Sequence, residues 1–329
     1  MRPTLPMPSP GEAALPFAPL RWSLYDALQL FAAFDAANPA SFAATPDFAI
    51  YRHFVAEGRT KHRHPYAAMM QSLHDHSITQ AMQPLLHANK VVAIMGGHKL
   101  ARDSASYADV ARLARRLARS SMLLCTGGGP GAMEAAHLGV AHANLHDAEL
   151  DAAIGQLSGM PNVPNLSAIV APDGSIDAAL VGAAHAWFAP AFAIAQRIQD
   201  KPASLAVPTW HYGHEPSTPL ASHIAKYFQN SIREDGLLAI AQQGIVFAPG
   251  RAGTIQEIFQ DGAQNYYETF DHFSPMVLLD IDYWTVRYPI ANVLRALFGN
   301  ERFDRYVLLT DDINEAAAFI EAFEPASTS

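Results

Sequence analysis

The chain has 329 residues, half of them hydrophobic, and a formal net charge of −9. That length buries a substantial core and fits one large domain or two moderate ones, while the acidic balance excludes a nucleic-acid polymer as the principal partner, because such proteins present a basic face. The single Cys125 cannot form an internal disulfide, which points to a reducing, cytoplasmic setting.

Residues 1–20 carry proline throughout and lack the continuous apolar run of a signal peptide, so they read as a flexible arm. Residues 21–88 read as a helical extension: Leu24, Leu28 and Phe31 recur at helical spacing, and Pro39, Pro46, Pro65 and Pro84 punctuate it. Its histidines, His53, His62, His64, His74, His76 and His87, match no metal motif. Lys61 and Arg63 beside the His62-x-His64 pair repel a cation, so these histidines read as surface residues and no metal is expected. The extension is expected to cap the core domain or to form an oligomer contact.

Residues 89–329 alternate strands and helices. The run 91–95 is an apolar strand followed by Gly96-Gly97 and a helix over about 106–119; 121–125 is a second, followed by a glycine turn and a helix over 132–143. Further strands are expected at 167–171, 204–207, 245–248, 276–280 and 306–309, with a closing helix over 313–323. Residues 145–165 fit the alternation poorly, and Gly155, Gly159, Pro161 and Pro164 argue for a loop or insertion there. The stretch 178–196 approaches membrane-spanning length, but its alanines with Gly182, His185 and Pro190 read as a buried helix, so no membrane partner is expected. The irregular segment 208–219, PTWHYGHEPSTP, follows a strand, which places His211, Tyr212 and His214 either in a pocket or on an exposed loop. The alternation predicts an α/β fold, a Rossmann-like parallel sheet flanked by helices, with the helical extension N-terminal to it.

The stretch that carries chemistry is 244–260, GIVFAPGRAGTIQEIFQ. An apolar strand breaks at Pro249-Gly250, Gly253 permits a positive φ or the close approach of a ligand, and Thr254 opens a helix. The unpaired first N–H groups of such a helix attract an anion. Two more glycine turns, Gly96-Gly97 and Gly127-Gly128-Gly129-x-Gly131, also follow apolar strands, and in a parallel sheet all three open on one edge. Together they predict a bound phosphate, although each alone is also a tight connection. Thr254-Ile-Gln-Glu257 fits a capping box as well, which gives Glu257 a purely structural role.

PGRAGTIQE resembles the PGGxGTxxE signature of the LOG family, Rossmann-type proteins that include cytokinin-activating phosphoribohydrolases and bacterial nucleotide 5'-monophosphate nucleosidases. GGGPGAME, residues 127–134, is similar to that family's GGGxxGxM turn. Arg251 stands where the family has its second glycine, and Glu234 where it has the lysine of an Arg-Lys pair. The resemblance implies hydrolysis of the N-glycosidic bond of a nucleoside 5'-monophosphate to free base and ribose 5-phosphate, without a cofactor, by a dimer or larger homo-oligomer. It implies Glu257 and Arg233 as the catalytic residues. Glu257 stabilises the oxocarbenium-like ribosyl group or deprotonates water, while Arg233 orients phosphate or base and keeps Glu257 ionised. The nucleotide is expected to be held by Gly96, Gly97, Gly127, Gly128, Gly129, Gly131, Gly250, Arg251, Ala252, Gly253 and Thr254, with Met133 and Glu134 beside them, Glu134 either toward a ribose hydroxyl or simply favouring the helix dipole.

Two rival readings remain. Gly127-x-Gly129-x-x-Ala132 with Asp147 and Glu149 downstream fits a dinucleotide oxidoreductase. The departures Arg251 and Glu234 fit a nucleotide or cofactor carrier that binds without cleaving. The sequence has no GxxxxGK[ST] loop and no GxSxG elbow, the usual marks of Walker-type NTP hydrolysis and α/β-hydrolase chemistry.

Overall fold

The computed structural model describes residues 15–324. After a short helix α1 (Ala27–Leu30), Pro39, Pro46 and Pro65 each take the first position of the segment that follows: a 3-10 turn (Pro39–Ala44), α2 (Pro46–Ala56) and α3 (Pro65–His87). Proline suits that position because the first N–H of a helix has no partner to lose and φ is preset. Pro84 lies inside α3 near its end instead of terminating it.

The flexible arm expected over residues 1–20 falls mostly outside the described residues. At its end Phe17 is buried, its ring 4.7 Å from that of Phe228 and 5.7 Å from His74. The surface reading of the histidines fails at His74, which is fully buried and joins the Tyr25 hydroxyl (2.8 Å) to Asp75 (3.1 Å). The cause is its position: α3 buries Ala67, Gln71, His74, Ile78 and Met82 along one stripe, and that stripe faces the core.

Among the described residues seven strands follow: β1 (Lys90–Met95), β2 (Met122–Thr126), β3 (Ser204–Ala206), β4 (His223–Ile224), β5 (Gly244–Phe247), β6 (Met276–Leu279) and β7 (Val307–Thr310). All pairings are parallel, in the order β4-β3-β2-β1-β5-β6-β7. Between and after them lie α4 (Ala105–Arg119), α5 (Ala132–Ala141), α6 (Asp147–Ser158), α7 (Ala178–Arg197), α8 (Asn230–Ile240), α9 (Ala252–Tyr266), α10 (Ile290–Phe298), α11 (Asn300–Tyr306) and α12 (Ile313–Glu321). Side chains alternate across the sheet. Ala93, Met95, Cys125 and Phe247 enter one core with the N-terminal helices, while Val92, Ile94, Leu124 and Val246 enter another with α4, α5 and α12. Burial on both faces is why these strands read as unbroken apolar runs. The α/β, Rossmann-like architecture is therefore present.

Three elements differ from expectation. Residues 167–171 form no strand; Pro172 and Gly174 turn the chain after a single antiparallel bridge, Val170 to Ile176. The supposed loop 145–165 contains α6, which buries Leu150, Ala153 and Leu157 and is capped where the Glu149 carboxylate accepts from the His146 N–H at 2.9 Å. The two-residue β4 was too short to announce itself, and Tyr25 closes its outer edge through an antiparallel bridge to Ile224. The apolar helix α7 reaches membrane-spanning length, but half of its most apolar window is buried, and Phe188 and Phe192 pack on Phe31 and Phe34.

Candidate functional site

The chain lays β1 to β4 outward in one direction and then returns to place β5 beside β1. At such a reversal the connections leaving the two neighbouring strands diverge, and a crevice opens at their carboxyl ends. A cavity of about 370 Å³ occupies that place. Gly96 and Gly97 line it after β1; Gly127, Gly129 and Met133 after β2; Thr209, Tyr212, Glu215 and Ser217 after β3; Arg251, Ala252, Gly253, Thr254 and Glu257 after β5. Arg233 and Glu234 of α8 complete the wall. The three glycine turns thus meet on one edge, as a parallel sheet requires.

Backbone hydrogen bonds lace the turns together. Gly97 donates to the Pro249 carbonyl (3.0 Å) and accepts from the Ala132 N–H (3.2 Å). Gly131, at φ 69°, caps α5 in a conformation that favours glycine, and a Cβ there would collide with the Gly97 carbonyl. Gly128, Gly131 and Gly250, expected at the ligand, lie behind the cavity wall as scaffold. The Gly128 carbonyl accepts from the Thr218 N–H (2.9 Å) and that of Gly250 from the Tyr283 hydroxyl (2.8 Å). Glu134 does not face a ribose site either. It is buried in a two-pronged pair with Arg102 (2.6 and 2.7 Å), accepts from Tyr107 (3.0 Å), and Arg102 stacks on Trp187. This network fixes the first turn of α5 against α4 and α7.

The helix carrying Glu257 begins two residues earlier than expected. Ala252 favours helix, Arg251 is the N-cap, and no side chain caps the first turn. Thr254 is therefore inside the helix, and Glu257 lies too far along α9 to close a capping box. The first helical bond runs from the Ile255 N–H to the Arg251 carbonyl (2.9 Å), so the amides of 252, 253 and 254 line the cavity without a helical acceptor. Gly253 keeps φ negative, and a Cβ there would meet open space, so neither the backbone nor the packing requires glycine at this position.

Arg233 is buried, and a Cβ on Gly127 would fall 3.2 Å from its Nη1, so the guanidinium lies against the second glycine turn. Its other contact is Asn230 Oδ1, at 2.9 Å from Nη2. The expected direct pair with Glu257 is absent; Arg233 acts on that carboxylate through space. Burial pushes the half-buried Glu257 carboxyl up to about 7, Arg233 opposing and Glu234 adding to the rise. Desolvation outweighs the arginine, so Glu257 is not held fully ionised as expected but poised between its two forms at neutral pH.

Sequence reasoning missed Glu215. It stands half-buried across the crevice, where burial raises its carboxyl while His98 at 3.7 Å, Arg233 and Lys99 hold it down. Of the three residues weighed in the 208–219 segment, Tyr212 lines this cavity; His211 and His214 do not. Two buried carboxylates of the N-terminal extension were also missed. Asp47 accepts from Trp210 Nε1 (2.9 Å) and from Lys226 Nζ (2.7 Å to Oδ1), and Lys226 donates on to Ser217 Oγ (2.8 Å), which fixes the cavity segment after β3. Asp75 accepts from the Phe228 (2.9 Å) and Gln229 (2.8 Å) N–H groups and so anchors the start of α8, the helix that carries Arg233. Their partners lie more than 150 residues away in sequence, so no local signal marks them.

The ribose-binding acids of a dinucleotide site are engaged elsewhere: Asp147 pairs with Arg115 (2.8 Å) and Glu149 caps α6. Among the described residues no group of three or more His, Cys, Asp or Glu side chains is arranged to hold a metal ion. In comparisons with known proteins, neither a family model nor a curated protein matches the chain.

Proposed function

We propose that this cavity hydrolyses the N-glycosidic bond of a nucleoside 5'-monophosphate. One observation carries the reading: an uncapped helix N-terminus, two further glycine turns and a carboxyl raised to about 7 share one cavity at the switch point of the sheet. The free amides of α9 and the Thr254 hydroxyl bind the 5'-phosphate, helped by the helix dipole, and Arg233 against Gly127 balances its charge. The phosphate then holds the ribose over Glu257. The ionised form of Glu257 takes a proton from water as the sugar develops positive charge, and a carboxyl near 7 supplies that form at neutral pH without being too weak a base. The LOG-family resemblance of PGRAGTIQE supports the same assignment.

The test is chromatography of free base and ribose 5-phosphate after incubation with a panel of nucleoside monophosphates. We expect release by the parent protein and a loss of about 10²- to 10⁴-fold in Glu257→Gln. Glu234, a carboxylate in the wall of an anion site, favours the second reading, a nucleotide carrier. Calorimetric binding of AMP with no base released would establish that reading instead.

A further inference from the structure

We propose that Glu215 is the general acid of this hydrolysis, donating a proton to the departing base, and that the base leaves into an adjoining polar pocket. The proposal rests on the nucleosidase reading. The adjoining pocket, of about 420 Å³, is lined by Asn162, Asn165 and His214, and it shares His98 and Glu215 with the main cavity. Glu215 therefore stands at the junction of the two. A nucleotide with its phosphate on α9 and its ribose over Glu257 would direct its base toward that junction, and the second pocket is the neighbouring space that shares His98 and Glu215 with it.

The two carboxylates come from opposite walls. Glu257 rises from α9 after β5, whereas Glu215 reaches over the turn after β2, its Oε2 3.7 Å from where a Cβ on Gly129 would stand. Arg233 pulls down the carboxyls of both, so both stand within the field of one guanidinium in the crevice. A pair of carboxyls on opposite sides of a scissile bond is the arrangement that supplies one acid and one base. Burial favours the protonated form of Glu215, opposed by His98, Arg233 and Lys99. The pocket chemistry suits a heterocyclic leaving group. Asn162 and Asn165 offer amides, and the His214 Nδ1 has no protein partner, its ring kept below the ordinary histidine value by burial.

The proton and electron count closes. Water oxygen bonds to the anomeric carbon as the carbon–nitrogen bond breaks, and the bond pair stays with the base. A ring nitrogen of the base receives the Glu215 proton while Glu257 receives the proton lost by water. Exchange with solvent, on one side through His98 at 3.7 Å, returns each carboxyl to its starting form.

The experiment compares Glu215→Gln with the parent on AMP and on 7-methylguanosine 5'-monophosphate, whose cationic base departs without protonation. Near-UV circular dichroism and binding of inorganic phosphate serve as folding controls. We expect the variant to lose about 10²- to 10⁴-fold on AMP, to stay within a few-fold of the parent on the methylated nucleotide, and to lose the alkaline limb of the pH–rate profile on AMP. Equal losses on both nucleotides, unimpaired AMP turnover, or a retained alkaline limb overturns the assignment of Glu215 alone. Absence of base release by the parent overturns the nucleosidase reading and this inference with it.

Discussion

Glu257 shows how burial converts an ordinary side chain into a titrating one, at a cost to the fold. Its carboxyl is raised from 4.5 to about 7 because the pocket favours the neutral form. A raised carboxyl is fully accommodated below its unfolded value, and the fold is penalised increasingly as pH climbs from about 4.5 to 7, then by a constant amount above. That rise corresponds to about 3 kcal/mol at alkaline pH. Glu257→Gln, which cannot ionise, should therefore melt at a higher temperature than the parent at pH 8 and at nearly the same temperature at pH 4. Thermal denaturation at both values checks this, and a variant less stable at pH 8 contradicts the burial argument. The residue proposed as the catalytic base is in this sense a destabilising one.

Among the elements, α9 and α8 are fixed in opposite ways. The start of α9 has no side-chain cap, so its amides are free for an anion. The start of α8 likewise lacks a side-chain cap, but Asp75 from α3 holds the two N–H groups just before its first turn, those of Phe228 and Gln229. His74 and Tyr25 hold Asp75 in turn through a buried chain of hydrogen bonds. Removing that carboxylate strands one buried and one half-buried N–H group and loosens the helix that aims Arg233. Asp75→Ala should cost about 2 kcal/mol in urea denaturation, and it should weaken monophosphate binding by calorimetry although Asp75 is outside the cavity. Unchanged binding in the destabilised variant means that α8 holds Arg233 without this anchor.

At the scale of the molecule, the extension and the sheet share one continuous core, and the extension forms part of the site's support. Phe17, Tyr25, Phe31 and Phe54 pack in the same cluster as Leu205, Trp210 and Phe247. The buried Asp47–Lys226 pair is the polar link across that joint. Breaking it from one side leaves an ammonium without its carboxylate in a dry environment, which is worth about 3 to 5 kcal/mol. Asp47→Ala should show a loss of that order by chemical denaturation, and a loss under 1 kcal/mol means that water or a rearranged Ser217 satisfies Lys226.

The amino-acid sequence by itself determined six of the seven strands, β4 being the exception, and the three glycine turns with the helices that follow them. A strand buried on both faces must be apolar throughout, and a turn from strand to helix at a crowded edge selects glycine. Those rules are local, so β1, β2, β5 and their loops were legible, and with them most of the cavity wall. His74 was misread because its burial depends on which face of α3 meets the core. Glu134 was misassigned because its partner Arg102 comes from another element, and Glu215 was overlooked because its segment has no periodicity. Only the tertiary structure decided that α9 starts at Ala252, which removes the capping box and frees Glu257. It alone set the raised carboxyl there, since desolvation depends on everything packed around a group and on nothing next to it in the chain.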